Sequence, residues 1–175
     1  MDLHGHFSKG AALTRMGDPA GIKMMDEGFE AIQSIGLFNW NTVLLTSLAE
    51  SRLLLGQKSE AVDFIDKARR MIEQTGETFY GPEVFRLKAK LTSDTDEAIH
   101  LLEEALQLAE QQETQMWALR SILDLVAICD QGQDLEDRLD HLQIIFDRFT
   151  EGFHIRELKT AKRLLKRRRP HLVTA

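Results

Sequence analysis

The chain has 175 residues, 43% of them hydrophobic and only three of them proline, which is enough apolar material for a sizeable core and excludes a disordered segment. A single cysteine, Cys129, excludes an intrachain disulfide and points to a reducing compartment; no apolar run reaches the roughly 18 residues of a membrane span. The net charge of −6 is uneven: from His154 onward eight cations face Glu157 alone, a net +7, which leaves −13 on the rest. The opening MDLHGHFSKG has no apolar signal core, so a cytoplasmic location is expected.

Leu3 to Arg15 reads as a first helix, with Gly10, Ala11 and Ala12 small enough for a neighbour to approach closely. His4 and His6 lie two apart and share no helical face, so no metal site is expected there. Asp18 and Pro19 suit the N-cap and first position of a second helix, which runs to about Ile35 on Ile22, Met25, Phe29 and Ile32. Leu37 to Leu55 follows. Its stripe of Trp40, Leu44, Leu48 and Leu55 is broadened by Leu45, Ala49, Arg52 and Leu53, an arc wide enough for packing on two sides.

Ala61 to Gly76 is the clearest segment. Ala61, Ile65, Ala68 and Ile72 form one stripe, charged residues fall between, and Gly76 ends the helix. Pro82 opens a helix that ends near Leu91, with Val84, Leu87 and Leu91 inward. Ser93 to Asp96 makes a turn and cap before the stripe Ala98, Leu102, Ala105 and Ala109. Gln115–Asp130 and Leu135–Thr150 form a further hairpin. Leu119, Ile122, Leu123, Val126 and Ala127 face one way in the first; Leu139, Leu142, Ile145, Phe146 and Phe149 do so in the second. His154 to Arg168 is a last amphipathic helix on Ile155, Leu158, Ala161, Leu164 and Leu165, stopped by Pro170. Cys129, inside the run Leu125 to Ile128, reads as a small buried hydrophobe.

The segments repeat. The helix ends Gly36, Gly76, Glu113 and Gly152 are spaced 40, 37 and 39 residues apart. The inner turns at Gly17, Gly56, Ser93 and Gly132 are spaced 39, 37 and 39. Aromatics follow three of the ends by four residues, at Trp40, Tyr80 and Trp117. A period of this length means stacked helix pairs, because one pair cannot bury its apolar face alone. The expectation is an all-α fold: an α-solenoid of about four antiparallel helix pairs in a single domain over 1–169. Its repeats lie at 1–36, 37–76, 77–113 and 114–152, with a capping helix at 154–169 and a short tail at 170–175.

The hairpins resemble tetratricopeptide-like repeats. Their wording is similar to the C-terminal helical-repeat tail of large bacterial multidomain regulators, in which a class III nucleotide cyclase or DNA-binding domain precedes a signalling-type ATPase module. The phrases that carry this are Met25 to Ala31, Leu48-Ala49-Glu50, Ile72 to Glu77, Glu83 to Lys88, Trp117 to Arg120 and Phe149 to Phe153. They span nearly the whole chain. Ala89 departs from the pattern, as does the short loop at Ser93, and no phosphate-binding G-x-x-x-x-G-K-[ST] loop occurs. The resemblance implies a non-catalytic regulatory module.

No nucleophile with its base, no His/Cys cluster and no H-E-x-x-H helix is present, so no enzyme activity, cofactor or metal is expected. The expected partner is a protein or peptide bound along the first helices of the pairs. Candidate contacts are Asn39, Asn41, Arg52, Arg86, Lys88 and Arg120. Arginines suit a carboxylate or acidic motif; the competing reading pairs Arg86 and Arg120 with neighbouring repeats. A small-molecule site in the groove is the alternative. Lys162, Arg163, Lys166, Arg167, Arg168 and Arg169 form a basic tail that could grip phosphates. The acidic body and the lack of interleaved aromatics argue against nucleic acid. No membrane partner is expected. Self-association is left open at the first-repeat face, since a helix begins almost at Met1.

Overall fold

The structure is a computed structural model that describes residues 3–36, 41–129 and 133–168. Among the described residues all regular structure is helical. The helices are α1 (Leu3–Arg15), α2 (Ala20–Ser34), α3 (Asn41–Leu54), α4 (Lys58–Thr75), α5 (Gly81–Leu91), α6 (Thr95–Gln111), α7 (Gln115–Ile128), α8 (Gln133–Asp147) and α9 (Arg156–Arg168). The chain forms two compact units, residues 1–91 and 92–175. The division falls inside the third expected repeat, between α5 and α6. Leu37, Asn39, Trp40, Gly132, Arg169 and Pro170 lie outside the described residues.

The expected punctuation sets three of the helix ends; α8 stops at Asp147, short of the expected Thr150, and Gly152 lies in the connection to α9. Gly36, Gly76, Glu113 and Gly152 all have left-handed φ, at 72°, 70°, 55° and 76°. At Gly76 the backbone N–H returns to Ile72 O at 2.8 Å, closing the last turn of α4 at no steric cost. Glu113 takes the same conformation with a side chain, and is the one non-glycine with positive φ among the described residues. At helix starts, Pro19 and not the expected Asp18 is the N-cap of α2, and the Asp18 carboxylate accepts from Ala20 N at 2.9 Å. Asp94 caps α6 by accepting from Asp96 N and Glu97 N at 2.9 and 3.2 Å.

The even-numbered helices share one register. Counting from Gly21, Ala61, Ala98 and Leu135, the residues four further on are Met25, Ile65, Leu102 and Leu139, all buried. The residues seven further on are Gly28, Ala68, Ala105 and Leu142, again all buried. This is the 3.6-residue stripe of a helix with one face in a core.

In the first unit α1 packs on α2 and α3, and α3 packs on α4 and α5. The wide apolar arc of α3 serves two clusters. Leu44 and Leu48 join Phe7, Met25 and Ile32. Leu45 and Ala49 join Ile65, Ala68, Val84 and Leu87. The α1–α2 contact is close because it is made of glycine. A Cβ on Gly10 would stand 2.6 Å from Gly21 O, and one on Gly28 would stand 3.1 Å from Phe7 Cβ. As the position on α1 falls from 10 to 7, its neighbour on α2 rises from 21 to 28.

In the second unit α7 packs on α6, α8 and α9, and α8 packs on α9. The α7 core residues are Ala118, Leu119, Ile122, Leu125 and Val126. This corrects the expected stripe: Leu123 is half-buried and Ala127 exposed, while Leu125 is fully buried. With several neighbours, α7 buries a broader and slightly rotated face. Cys129 is half-buried, since it caps α7 in extended conformation instead of continuing its core face.

Glu113→Gly is expected to stabilise the protein. Left-handed φ costs an L-residue about 1–2 kcal/mol, and the greater unfolded freedom of glycine returns about 0.5–1 of that. A net gain of about 0.5–1 kcal/mol, seen as a raised denaturation midpoint, is the expected outcome.

Candidate functional site

The candidate cations are held by carboxylates of their own chain. Asn41 opens α3 and is 4% exposed; its Oδ1 accepts from Gln33 Nε2 on α2. Arg52, near the end of α3, is also 4% exposed. Its Nη2 donates to Asp26 at 2.6 Å, its Nε donates to Glu60 at 3.1 Å, and its guanidinium lies 4.4 Å from the centroid of Phe64. It therefore joins α2, α3 and α4. Arg86 makes a fork–fork pair with Glu83 one turn earlier on α5, at 2.9 and 2.8 Å. Both side chains are buried, at 7% and 4% exposure. Lys88 donates to Asp66 of α4 at 2.7 Å. In the second unit Arg120 of α7 donates to Glu157 of α9 at 3.1 Å.

The basic helix divides into two roles. Arg168 turns back to α8, donating to Glu136 at 2.7 Å and to Asp140 at 2.6 Å. Lys162, Arg163, Lys166 and Arg167 are exposed, and Arg163 donates only to Thr160, at 3.3 Å, among the described contacts. Arg169 and Asn39 lie outside the described residues. Residues 92–153 carry fifteen carboxylates against Arg120, Arg138 and Arg148, so the cations of α9 offset an otherwise strongly acidic unit.

The ion pairs follow the helix register. Five residues after the start of each even-helix stripe stand Asp26, Asp66, Glu103 and Asp140. Each pairs with a cation on a later helix: Arg52, Lys88, Arg138 and Arg168 respectively, at 2.6, 2.7, 2.9 and 2.6 Å. These carboxylates were not singled out from the sequence. The signal was available, because they recur 40, 37 and 37 residues apart; only their partners needed the fold. The Glu83–Arg86 pair was also legible, as an i,i+3 pair on one helix.

On the first-helix side of the first unit, α1 and α3 enclose a groove of about 260 Å³. Phe7, Ala11 and Leu44 form its floor, and His4, Ser8 and Ser47 are polar groups on its walls. Arg15 at its edge donates to Glu50 at 2.8 Å. His6 lies 3.5 Å from Glu27. Among the described residues no group of three His, Cys, Asp or Glu side chains could hold a metal ion, and no helix is long and apolar enough to cross a membrane.

Two carboxylates on α8 and α9 are electrostatically tuned. The hydrogen bond from Arg168 holds Asp140 below the ordinary aspartate range, and the same bond raises the Arg168 pKa. Burial acts to raise Glu157, but a backbone hydrogen bond and the Arg120 charge outweigh it and leave its pKa lowered. No family model and no curated protein sequence matches the chain.

Two outcomes follow for stability. Arg86→Ala removes the two-point cationic partner of the buried Glu83 carboxylate and should cost about 3–5 kcal/mol in chemical denaturation, whereas Glu83→Leu with Arg86→Met should recover most of the loss. For pH, Asp140 and Glu157 have folded pKa values below their unfolded ones. The stability they contribute is present above about pH 4–5 and is lost as pH falls through the lowered values. Amide-exchange protection factors in α9, corrected for the intrinsic rate at each pH, should therefore fall below about pH 4, with a weaker pH dependence in Arg168→Gln.

Proposed function

We propose that this chain is a non-catalytic protein-interaction scaffold in which antiparallel helix pairs stack, within each unit, as a tetratricopeptide-like α-solenoid segment, with α9 as the cap. One observation carries this reading: the even helices repeat a single burial register with a carboxylate at the same step, each bound to a cation of a later helix. Repeats of that kind bury a shared core and leave the first helices to form a binding surface. The reversed numbering of the α1–α2 contact supports antiparallel pairing.

The binding surface is assigned to the groove between α1 and α3, whose apolar floor and hydroxyl-bearing walls suit a peptide segment. Arg52, Arg86 and Lys88 are left out of that surface, because their charges are already matched by Asp26, Glu60, Glu83 and Asp66. The resemblance to the repeat tails of bacterial cyclase- and transcription-linked regulators supports a regulatory setting in the cytoplasm. The second reading, a small-molecule sensor, is favoured by a separate cavity treated below.

Affinity capture from a bacterial lysate tests the scaffold. Wild-type chain should retain a defined protein partner that Ser8→Arg with Ser47→Arg loses, while Lys162→Glu with Lys166→Glu keeps it. Capture of no protein, or capture unchanged by the groove substitutions, contradicts the reading. Retention of nucleic acid that is lost only in the α9 variant favours the basic helix as the binding site.

A further inference from the structure

A second cavity of about 280 Å³ opens where α2, α3 and α4 meet in the first unit, away from the α1 side of the peptide groove. Phe29, Leu45 and Met71 supply an apolar floor, one residue from each helix. Lys67 and Arg70, one turn apart on α4, stand on its wall. Their charges are not spent on neighbours. Along the same helix Arg69 is taken by Glu73 at 3.2 Å, and Asp66 by Lys88 at 2.7 Å. Among the described residues this leaves Lys67 and Arg70 without a carboxylate; Lys67 lies over the Phe64 ring, 5.0 Å from its centroid. The buried Asn41 also lines the cavity, and its Oδ1 is occupied by Gln33, which leaves the Asn41 amide N–H groups to donate.

Two unmatched cations and an amide donor above an apolar floor define an amphipathic anion. We propose that this cavity binds a small monocarboxylate with an apolar body, the carboxylate held by Lys67 and Arg70 and the body laid on Phe29, Leu45 and Met71. The apolar floor disfavours free phosphate and other compact, strongly hydrated anions, which would lose hydration there without replacement. The cations disfavour a neutral isostere, which leaves them unmatched. The volume of about 280 Å³ lies just below the range of about 300–1,000 Å³ typical of ligand pockets, which favours a small molecule over a nucleotide.

Octanoate is the probe, titrated into the full chain with the methionine methyl groups followed by NMR. The Met71 methyl should shift saturably, while that of Met25, buried in the α1–α2 contact, should not move. Lys67→Glu with Arg70→Glu alters two exposed side chains, so circular dichroism should be unchanged. Affinity for octanoate should fall about tenfold or more, as expected when charge-assisted contacts are lost. 1-Octanol should bind the wild type at least about tenfold more weakly than octanoate. No shift at Met71, equal affinity for octanol, or undiminished affinity in the folded double variant overturns the proposal.

Discussion

The structure depends on one constraint: each even helix must present a small or apolar face to its neighbours at steps zero, four and seven, and a carboxylate at step five. The apolar steps supply burial, which is non-directional and would tolerate several rotations of a helix. The carboxylate removes that freedom. Asp26 reaches Arg52 only in one rotation of α2 against α3, and Asp66 reaches Lys88 only in one rotation of α4 against α5. Ion pairs of this kind, with a buried or half-buried cation and a more exposed carboxylate, add little net stability on their own. Their physical role here is to fix orientation, with burial providing the energy.

That constraint decides what the candidate binding residues can do. A guanidinium 4% exposed and shared by Asp26 and Glu60 is a poor first contact for a partner, because reaching it would strip two existing bonds. Arg86 is bound still more firmly, with its carboxylate on the same helix turn. Among the described residues, the surfaces that the ion pairs do not consume include the α1–α3 groove, the cavity at Lys67 and Arg70, and the exposed cations of α9. The last lie in the unit that also holds sixteen of the 28 carboxylates, so that cations and acidic faces attract one another as Arg168 and Asp140 do.

Much of the fold was legible in the sequence. Left-handed glycines and a stripe period are local properties, and the helix ends at Gly36 and Gly76 follow from them, whereas α8 stops at Asp147, five residues before Gly152. The two-sided packing of α3 was readable from the width of its apolar arc. The rotation of α7 was not: Leu123 and Leu125 are equally apolar, and only the neighbours choose between them. Least legible was the site. A sequence shows that Arg52 and Lys88 are cationic, but a partner 26 or 22 residues away leaves no local trace.

The shared register is tested most directly by placing leucine at matched steps. Gly28→Leu, Ala68→Leu and Ala105→Leu overfill step seven; Glu30→Leu, Arg70→Leu and Gln107→Leu alter step nine, which is exposed in all three helices. Chemical denaturation should show a loss of about 1–3 kcal/mol or more for each step-seven variant, and changes within about 0.5 kcal/mol for each step-nine variant. A step-seven leucine tolerated in α2, α4 or α6, where the native residue is glycine or alanine, or a step-nine leucine as damaging as its partner, would contradict a common register.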